Sequence, residues 1–164
     1  MPPLIVTAVL DEVAQERFDR LRREHFPPER NHLDAHLTLF HRLPDEPEVD
    51  RALAVEACRP ALTAQVRRVR GWRGGVAYDI AAPELSALRA RLARAFDPWL
   101  SGQDRAKADL HVTVQNKAGP AAAERLHAQL AAGFTPYDVH VVGLGLWRYL
   151  GGPWEPVGQY AFGR

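Results

Sequence analysis

One cysteine, Cys58, stands in 164 residues, which excludes an internal disulfide framework and a zinc site built from several cysteines. Charge of one sign is missing too. The formal net charge is +1, so the molecule as a whole is no electrostatic magnet for nucleic acid, and any anion binding must be local. Long apolar runs are absent. Leu4 to Leu10 is apolar but too short to span a bilayer, and it lacks the basic segment and cleavage site of a secretion signal. The expectation is a soluble, cytoplasmic protein that acts as a monomer without a membrane partner. A chain of this length buries roughly 70% of its unfolded surface, so it can fold as one domain without covalent staples.

What the chain does have is one short phrase written twice. Asp34-Ala35-His36-Leu37-Thr38-Leu39 returns as Asp109-Leu110-His111-Val112-Thr113-Val114, 75 residues later. In an extended strand, side chains alternate between faces, so each His shares a face with the Thr two residues on. Leu37 and Leu39, or Val112 and Val114, then turn towards a core. Two such strands facing each other would gather two imidazoles and two hydroxyls around one small anion. That arrangement suits a phosphate ester.

The rest of the chain reads as alternating strands and helices. Leu4–Leu10 is a buried strand, and Asp11 caps a helix over Glu12–His25 with Val13, Phe18 and Leu21 on its apolar side, stopped by Pro27-Pro28. A polar approach, 29–35, leads into the first motif strand, about 36–42. Pro47–Cys58 reads as a helix with Val49, Leu53 and Ala57 in one stripe. Leu62, Ala64 and Val66 alternate in a strand running to Trp72, and Arg73-Gly74-Gly75 turns it into a second strand, Val76–Ala81. Pro83 opens a helix carrying Leu85, Leu88, Leu92 and Phe96. A polar loop, Ser101–Ala108, precedes the second motif strand, 109–115. Pro120 opens another helix with Leu126 and Leu130, ending near Gly133. Val139–Tyr149 and Pro156–Phe162 form a last strand pair around Gly151-Gly152-Pro153.

Sliding the chain on itself by 75 positions also aligns Arg30 with Arg105, Val66 with Val141, Trp72 with Trp147, and Arg73 with Arg148. Arg42 and Lys117 share a register as well. Such polar matches at one offset indicate a single domain, 1–164, made of two similar lobes about a pseudo-twofold axis.

A pair of His-x-Thr-x motifs in a chain of this size resembles the two-histidine (2H) phosphoesterase superfamily. Its members include RNA 2′,3′-cyclic phosphodiesterases, historically called 2′-5′ RNA ligases. The resemblance implies a bilobal α+β fold, with two mainly antiparallel sheets lining a central cleft and helices outside. It implies a hydrolase that needs no metal or other cofactor, in which His36 and His111 act as acid and base. It favours His36 as the acid, with Thr38 and Thr113 holding the phosphate. The implied substrate is a nucleotide or RNA with a 2′,3′-cyclic phosphate end. Cleavage of 2′-5′ linkages, ligase activity, and a non-catalytic nucleotide- or RNA-binding module are the alternatives. The chain departs from the ligase-like pattern after each motif, with Phe40-His41-Arg42-Leu43-Pro44 and Gln115-Asn116-Lys117.

Histidine suits the chemistry because its ordinary pKa, near 6.5, lets one ring be neutral while the other is charged around neutral pH. Secondary candidates for binding substrate follow from position. Phe40, Arg42 and Lys117 keep the strand parity of the motif residues, so Phe40 could stack a base or wall the core, and the two cations could meet phosphate or sit as solvated strand ends. Arg30 and Arg105 lie in the loops entering the motif strands. Trp72-Arg73 and Trp147-Arg148-Tyr149 could frame the cleft mouth, with Arg148 and Tyr149 reaching the substrate. Asp34 and Asp109 could orient the imidazoles or cap the preceding loops.

Overall fold

Apolar alternation and well-placed caps account for most of the elements. The computed structural model describes residues 1–106 and 109–163. Seven strands form: β1 (Leu4–Leu10), β2 (Leu37–Leu43), β3 (Leu62–Trp72), β4 (Gly75–Ala81), β5 (His111–Gln115), β6 (Tyr137–Tyr149) and β7 (Trp154–Ala161). Five helices join them: α1 (Glu12–His25), α2 (Pro47–Glu56), α3 (Pro83–Ala95), the single turn α4 (Gly102–Arg105) and α5 (Pro120–Ala132). The Asp11 carboxylate accepts from the Ala14 N–H at 2.9 Å, as an N-cap should. Pro47, Pro83 and Pro120 each stand at a helix start, where a missing N–H costs nothing. The short α4 lies within the stretch read as a polar loop, because the Ser101 hydroxyl accepts from the Asp104 N–H at 3.3 Å. Lys107 and Ala108 of that loop lie outside the described residues.

The named strands pair antiparallel throughout, in the order β2-β1-β6-β3-β4-β5, with β7 on β6. Where two sheets were expected, hydrogen bonding runs through as one. The long strand β6 is the reason. Along one edge it pairs with β1; along the other it pairs first with β3, over 137–141, and then with β7, over 143–149. At the β3–β6 seam Ala64 lies opposite Val139, and these two are 75 positions apart in the chain.

Helix α5 lies on β3 and β4, α3 on β3, and α1 against β5. One continuous core joins Leu4, Val6, Leu37, Leu39, Leu53, Leu85, Leu88, Val112 and Val114. Each large side chain removed from water there contributes roughly 1.5–3 kcal/mol, which firmly sets which face of β2 and β5 is inward. On α1 the buried stripe is Ala14, Phe18 and Arg22, and Val13 is 81% exposed. Hydrophobicity alone had favoured Val13.

Strand β2 departs from simple alternation. Val6 pairs with Phe40 and Thr7 with Thr38, so Leu39 is an extra residue, a β-bulge. Leu39 and Phe40 are consequently both buried. Two buried charged residues fasten this kink. Arg89 donates from Nε to the Leu39 carbonyl at 3.0 Å and from Nη2 to the Asp104 carbonyl at 2.7 Å. The Asp104 carboxylate, fully buried, accepts the backbone N–H groups of His41 and Arg42, both at 2.9 Å. Burial works to raise the Asp104 pKa, but the hydrogen bonds from His41 and Arg42 outweigh it and hold it below 3.8. Its stabilisation is therefore complete above that value and fades as pH falls through the folded-state pKa. Asp104→Ala strands two backbone donors at about 1–3 kcal/mol each, so urea unfolding at pH 7 should show a loss of about 3 kcal/mol. The gap to wild type should narrow in acid. A loss below about 1 kcal/mol at pH 7 would mean that the carboxylate does not hold the bulge.

Candidate active site

The two motif strands are the ends of the strand path, β2 at one edge and β5 at the other. They nevertheless lie close together, so the sheet curls until its edges face. Helix α1 spans the gap. Gln15 donates to the Ala35 carbonyl and Asp19 accepts the Ala35 N–H, both at 2.8 Å. One turn further on, Arg22 donates from Nη1 to the Thr113 carbonyl at 3.0 Å and from Nε to Asn31 Oδ1 at 3.2 Å. The spacing 15, 19, 22 places all three on one helix face. One helix thus fixes the backbone of both motifs.

The two imidazoles are held in the same way. His36 Nδ1 lies 2.8 Å from the Asp34 carbonyl, and His111 Nδ1 lies 2.7 Å from the Asp109 carbonyl. A carbonyl only accepts, so Nδ1 carries the proton in both rings. Nε2 has no protein partner in either, among the described residues, and is the atom free to work. Main-chain oxygens of Asp34 and Asp109 therefore orient the rings. The Asp109 carboxylate bonds instead to Arg70 at 2.8 Å. Thr38 and Thr113 are partly exposed beside their histidines, while their neighbours Leu37, Leu39, Val112 and Val114 are buried.

Burial pushes the His36 pKa down to about 4; the bond to the Asp34 carbonyl opposes this, and the charges of Arg22, His111 and His41 add to it. His36 is accordingly neutral at pH 7. The two rings open onto different surroundings. His36 packs on Trp154, ring centroids 4.6 Å apart, and lines a pocket of about 570 Å³ with Trp147, Pro156 and Gln159. His111 and Thr113 line a recess with Arg70, Trp72 and Asn116. Trp72 and Trp147, aligned by the repeat, thus flank opposite motifs. No group of three or more His, Cys, Asp or Glu side chains could hold a metal ion, among the described residues.

Most of the secondary candidates lie elsewhere. Phe40 is fully buried, 5.5 Å from Phe96 and covered by Arg89; the bulge has turned it from the cleft face into the core, so it cannot stack a base. Arg42 borders a separate groove with Pro2, Pro3 and Trp99. Arg105 bonds Asp97 at 2.9 Å, and Arg148 bonds Asp45 and Glu155 at 2.9 and 2.6 Å. Arg30 and Lys117 are exposed, Lys117 with a φ of 57° just past β5. Tyr149 is 40% exposed opposite Trp154 in the β6–β7 ladder. None of these lines the pocket at His36 or the recess at His111. Trp154 lines the pocket, Arg70 lines the recess, and Arg22 bonds the Thr113 carbonyl from beneath; none of the three carries a local motif. For Arg22 the one available signal is its position four residues after Phe18 on the inward face of α1.

A sequence model described as the 2′-5′ RNA ligase superfamily matches residues 10–153. The chain belongs to that superfamily. Solved structures share the fold of this 2′-5′ RNA ligase superfamily member across nearly its whole length. E. coli LigT in its apo form is 19% identical with a TM-score of 0.62, covering 99% of this chain and 98% of that one. TT0787 of Thermus thermophilus is 16% identical with a TM-score of 0.68, covering 98% and 97%. E. coli LigT complexed with 3′-AMP is 19% identical with a TM-score of 0.61, covering 99% of both chains. No curated protein matches this superfamily member. No helix among its described residues is long and apolar enough to cross a membrane.

Arg22→Gln removes a buried cation from beside His36. Its effect should be twofold: a stability loss of about 1–3 kcal/mol from the stranded Thr113 carbonyl, and a rise in the His36 titration midpoint from about 4 as a like charge is withdrawn. An NMR titration of the imidazole that shows no upward movement would remove Arg22 from the electrostatics of the site.

Proposed function

We propose that this protein is a metal-independent phosphodiesterase that opens 2′,3′-cyclic phosphates on RNA ends or small nucleotides. The observation that carries the reading is the matched pair of imidazoles, both with Nδ1 tied to a carbonyl and Nε2 free. Binding alone needs no such matched pair. In the reaction, water attacks phosphorus while one Nε2 takes its proton. The bond from phosphorus to a ribose oxygen breaks, and the other imidazole returns a proton to that oxygen. Family resemblance favours loss of the 3′-oxygen and a 2′-phosphate product. The threonine hydroxyls donate to the non-bridging oxygens, where charge grows in the transition state. Arg70 lines the recess with His111 and Thr113 but is held there by Asp79 at 3.1 Å and Asp109 at 2.8 Å. Cleavage or joining of 2′-5′ linkages is the second reading, supported by the superfamily match, because it uses the same acid, base and phosphate cradle with a 5′-oxygen as partner.

Each positioned proton transfer contributes about 10²–10⁴ in rate. His36→Ala and His111→Ala should each lower kcat on a 2′,3′-cyclic mononucleotide by at least about 10² with the fold intact by circular dichroism; Thr38→Val should cost less, since one donor is lost. Either histidine variant remaining within a few-fold of wild type would end the paired assignment.

The pH profile offers an independent check. The acidic limb of kcat/KM reports the free enzyme and should lie near pH 4, the value to which His36 is pushed. In kcat the same limb should move to higher pH, because a bound phosphate anion favours the charged ring. A kcat/KM limb at the ordinary 6.5 would contradict the desolvated His36.

A further inference from the structure

Both motif strands carry the same irregularity, and it brings one more polar side chain of each onto the face of the histidines. We infer that His41, backed by the buried Asp104 carboxylate, is a third imidazole of the site and binds the substrate's phosphate. The inference deepens the cyclic phosphodiesterase reading and rests on it.

In β5, Ala77 pairs with Thr113 and Val76 with Gln115, so Val114 is an extra residue, just as Leu39 is in β2. Val114 and Gln115 are both buried, and Asn116 is the next residue to line the recess with His111 and Thr113. The same count in β2 passes over Leu39 and Phe40 and arrives at His41. Cross-strand partners share a sheet face, which gives an independent check. Between Val6, opposite Phe40, and Leu4, opposite Leu43, strand β1 has only Ile5 to face both His41 and Arg42. Ile5 in turn lies opposite Trp147, which lines the pocket with His36. Arg42 turns into the groove of Pro2, Pro3 and Trp99, and His41 keeps the cleft face. One row along, Thr38 lies opposite Thr7, so the two rows are about 7 Å apart.

The ring is also held in a usable orientation. Its Nδ1 lies 3.2 Å from Asp104 Oδ1. A carboxylate only accepts, so Nδ1 carries the proton, and Nε2 has no protein partner among the described residues. The His41 side chain is 44% exposed, whereas that of Asp104 is wholly enclosed. His36 is within electrostatic reach, since the charge of His41 helps to lower its pKa. Arg89 of α3 spends its bonds on the Leu39 and Asp104 carbonyls rather than on the ring. An anion at Nε2 together with the carboxylate at Nδ1 stabilises the protonated ring from both sides. Phosphate binding therefore draws a proton from solvent to His41, and Nε2–H donates to a non-bridging oxygen.

The probe is inorganic phosphate, read through the imidazole resonances by NMR. In wild type it should move the His41 signals together with those of His36 and His111. Those of His127, which faces Gly71 and bonds the Val69 carbonyl, should stay still. His41→Gln keeps both backbone bonds to Asp104 but cannot carry charge. It should weaken phosphate by about tenfold or more, as expected for loss of a hydrogen bond between charged groups. KM for a 2′,3′-cyclic mononucleotide should rise by a similar factor, with kcat changed less. Proton uptake on phosphate binding, measured by calorimetry in buffers of different ionisation enthalpy, should fall in the same variant. If His41 only braces α4, the variant loses stability to urea and binds phosphate as wild type does. That result, or movement of His36 and His111 without His41, overturns the inference. Phosphate that moves neither His36 nor His111 would overturn the cyclic phosphodiesterase reading instead.

Discussion

An open sheet has two edges, and in this protein the two motif strands are those edges. Nothing in a β-ladder obliges β2 and β5 to meet, since four other strands stand between them in the hydrogen-bonded order. What closes the distance is α1. Its Gln15 and Asp19 grip the backbone at Ala35, just ahead of His36, and its Arg22 reaches the Thr113 carbonyl in the opposite strand. A buried guanidinium is costly to desolvate unless it is hydrogen-bonded, so Arg22 has strong reason to keep both partners. The same bonds that satisfy it hold the edges of the sheet together.

Arg89 does comparable work at the other motif strand, where it donates to the Leu39 carbonyl. Each His-x-Thr strand therefore has a main-chain carbonyl capped by a buried arginine from a helix. Edge strands need cover for their exposed polar groups, and here that cover also positions the site. The histidines inherit their geometry from this backbone. Carbonyls two residues earlier fix their tautomers, and the low-dielectric surroundings, with Arg22 nearby, keep His36 uncharged when no anion is present. A phosphate anion between the rings would change that balance by supplying a counter-charge.

Much of this was legible in the residues. Strand β1, helices α1, α3 and α5, strand β3 and both motif strands follow from alternation, helical periodicity and caps, with ends within a residue or two. The inward face of each motif was legible because Leu37, Leu39, Val112 and Val114 leave His and Thr no other side. The reading failed where a local rule was overridden by packing. Phe40 obeys the parity of a cleft residue only if the strand is regular, and the bulge at Leu39 breaks that parity. Arg22 looks like a solvated charge until a carbonyl from β5 is placed beside it. Arg148 and Arg105, equally basic in sequence, are consumed by Asp45, Glu155 and Asp97. Charge at a plausible position does not reveal whether a carboxylate already occupies it.

The chain's own pattern determined the secondary structure and the placing of His and Thr on one face of each motif strand, since these depend on residue type and on spacing along one strand. Tertiary structure decided which cations remain near the site, which aromatics wall it, and that the two motifs meet at all. Those outcomes come from contacts between segments far apart in sequence, Arg22 with Thr113 or Trp154 with His36. No local periodicity encodes such a contact; it exists only once a common core has brought the two backbones into register.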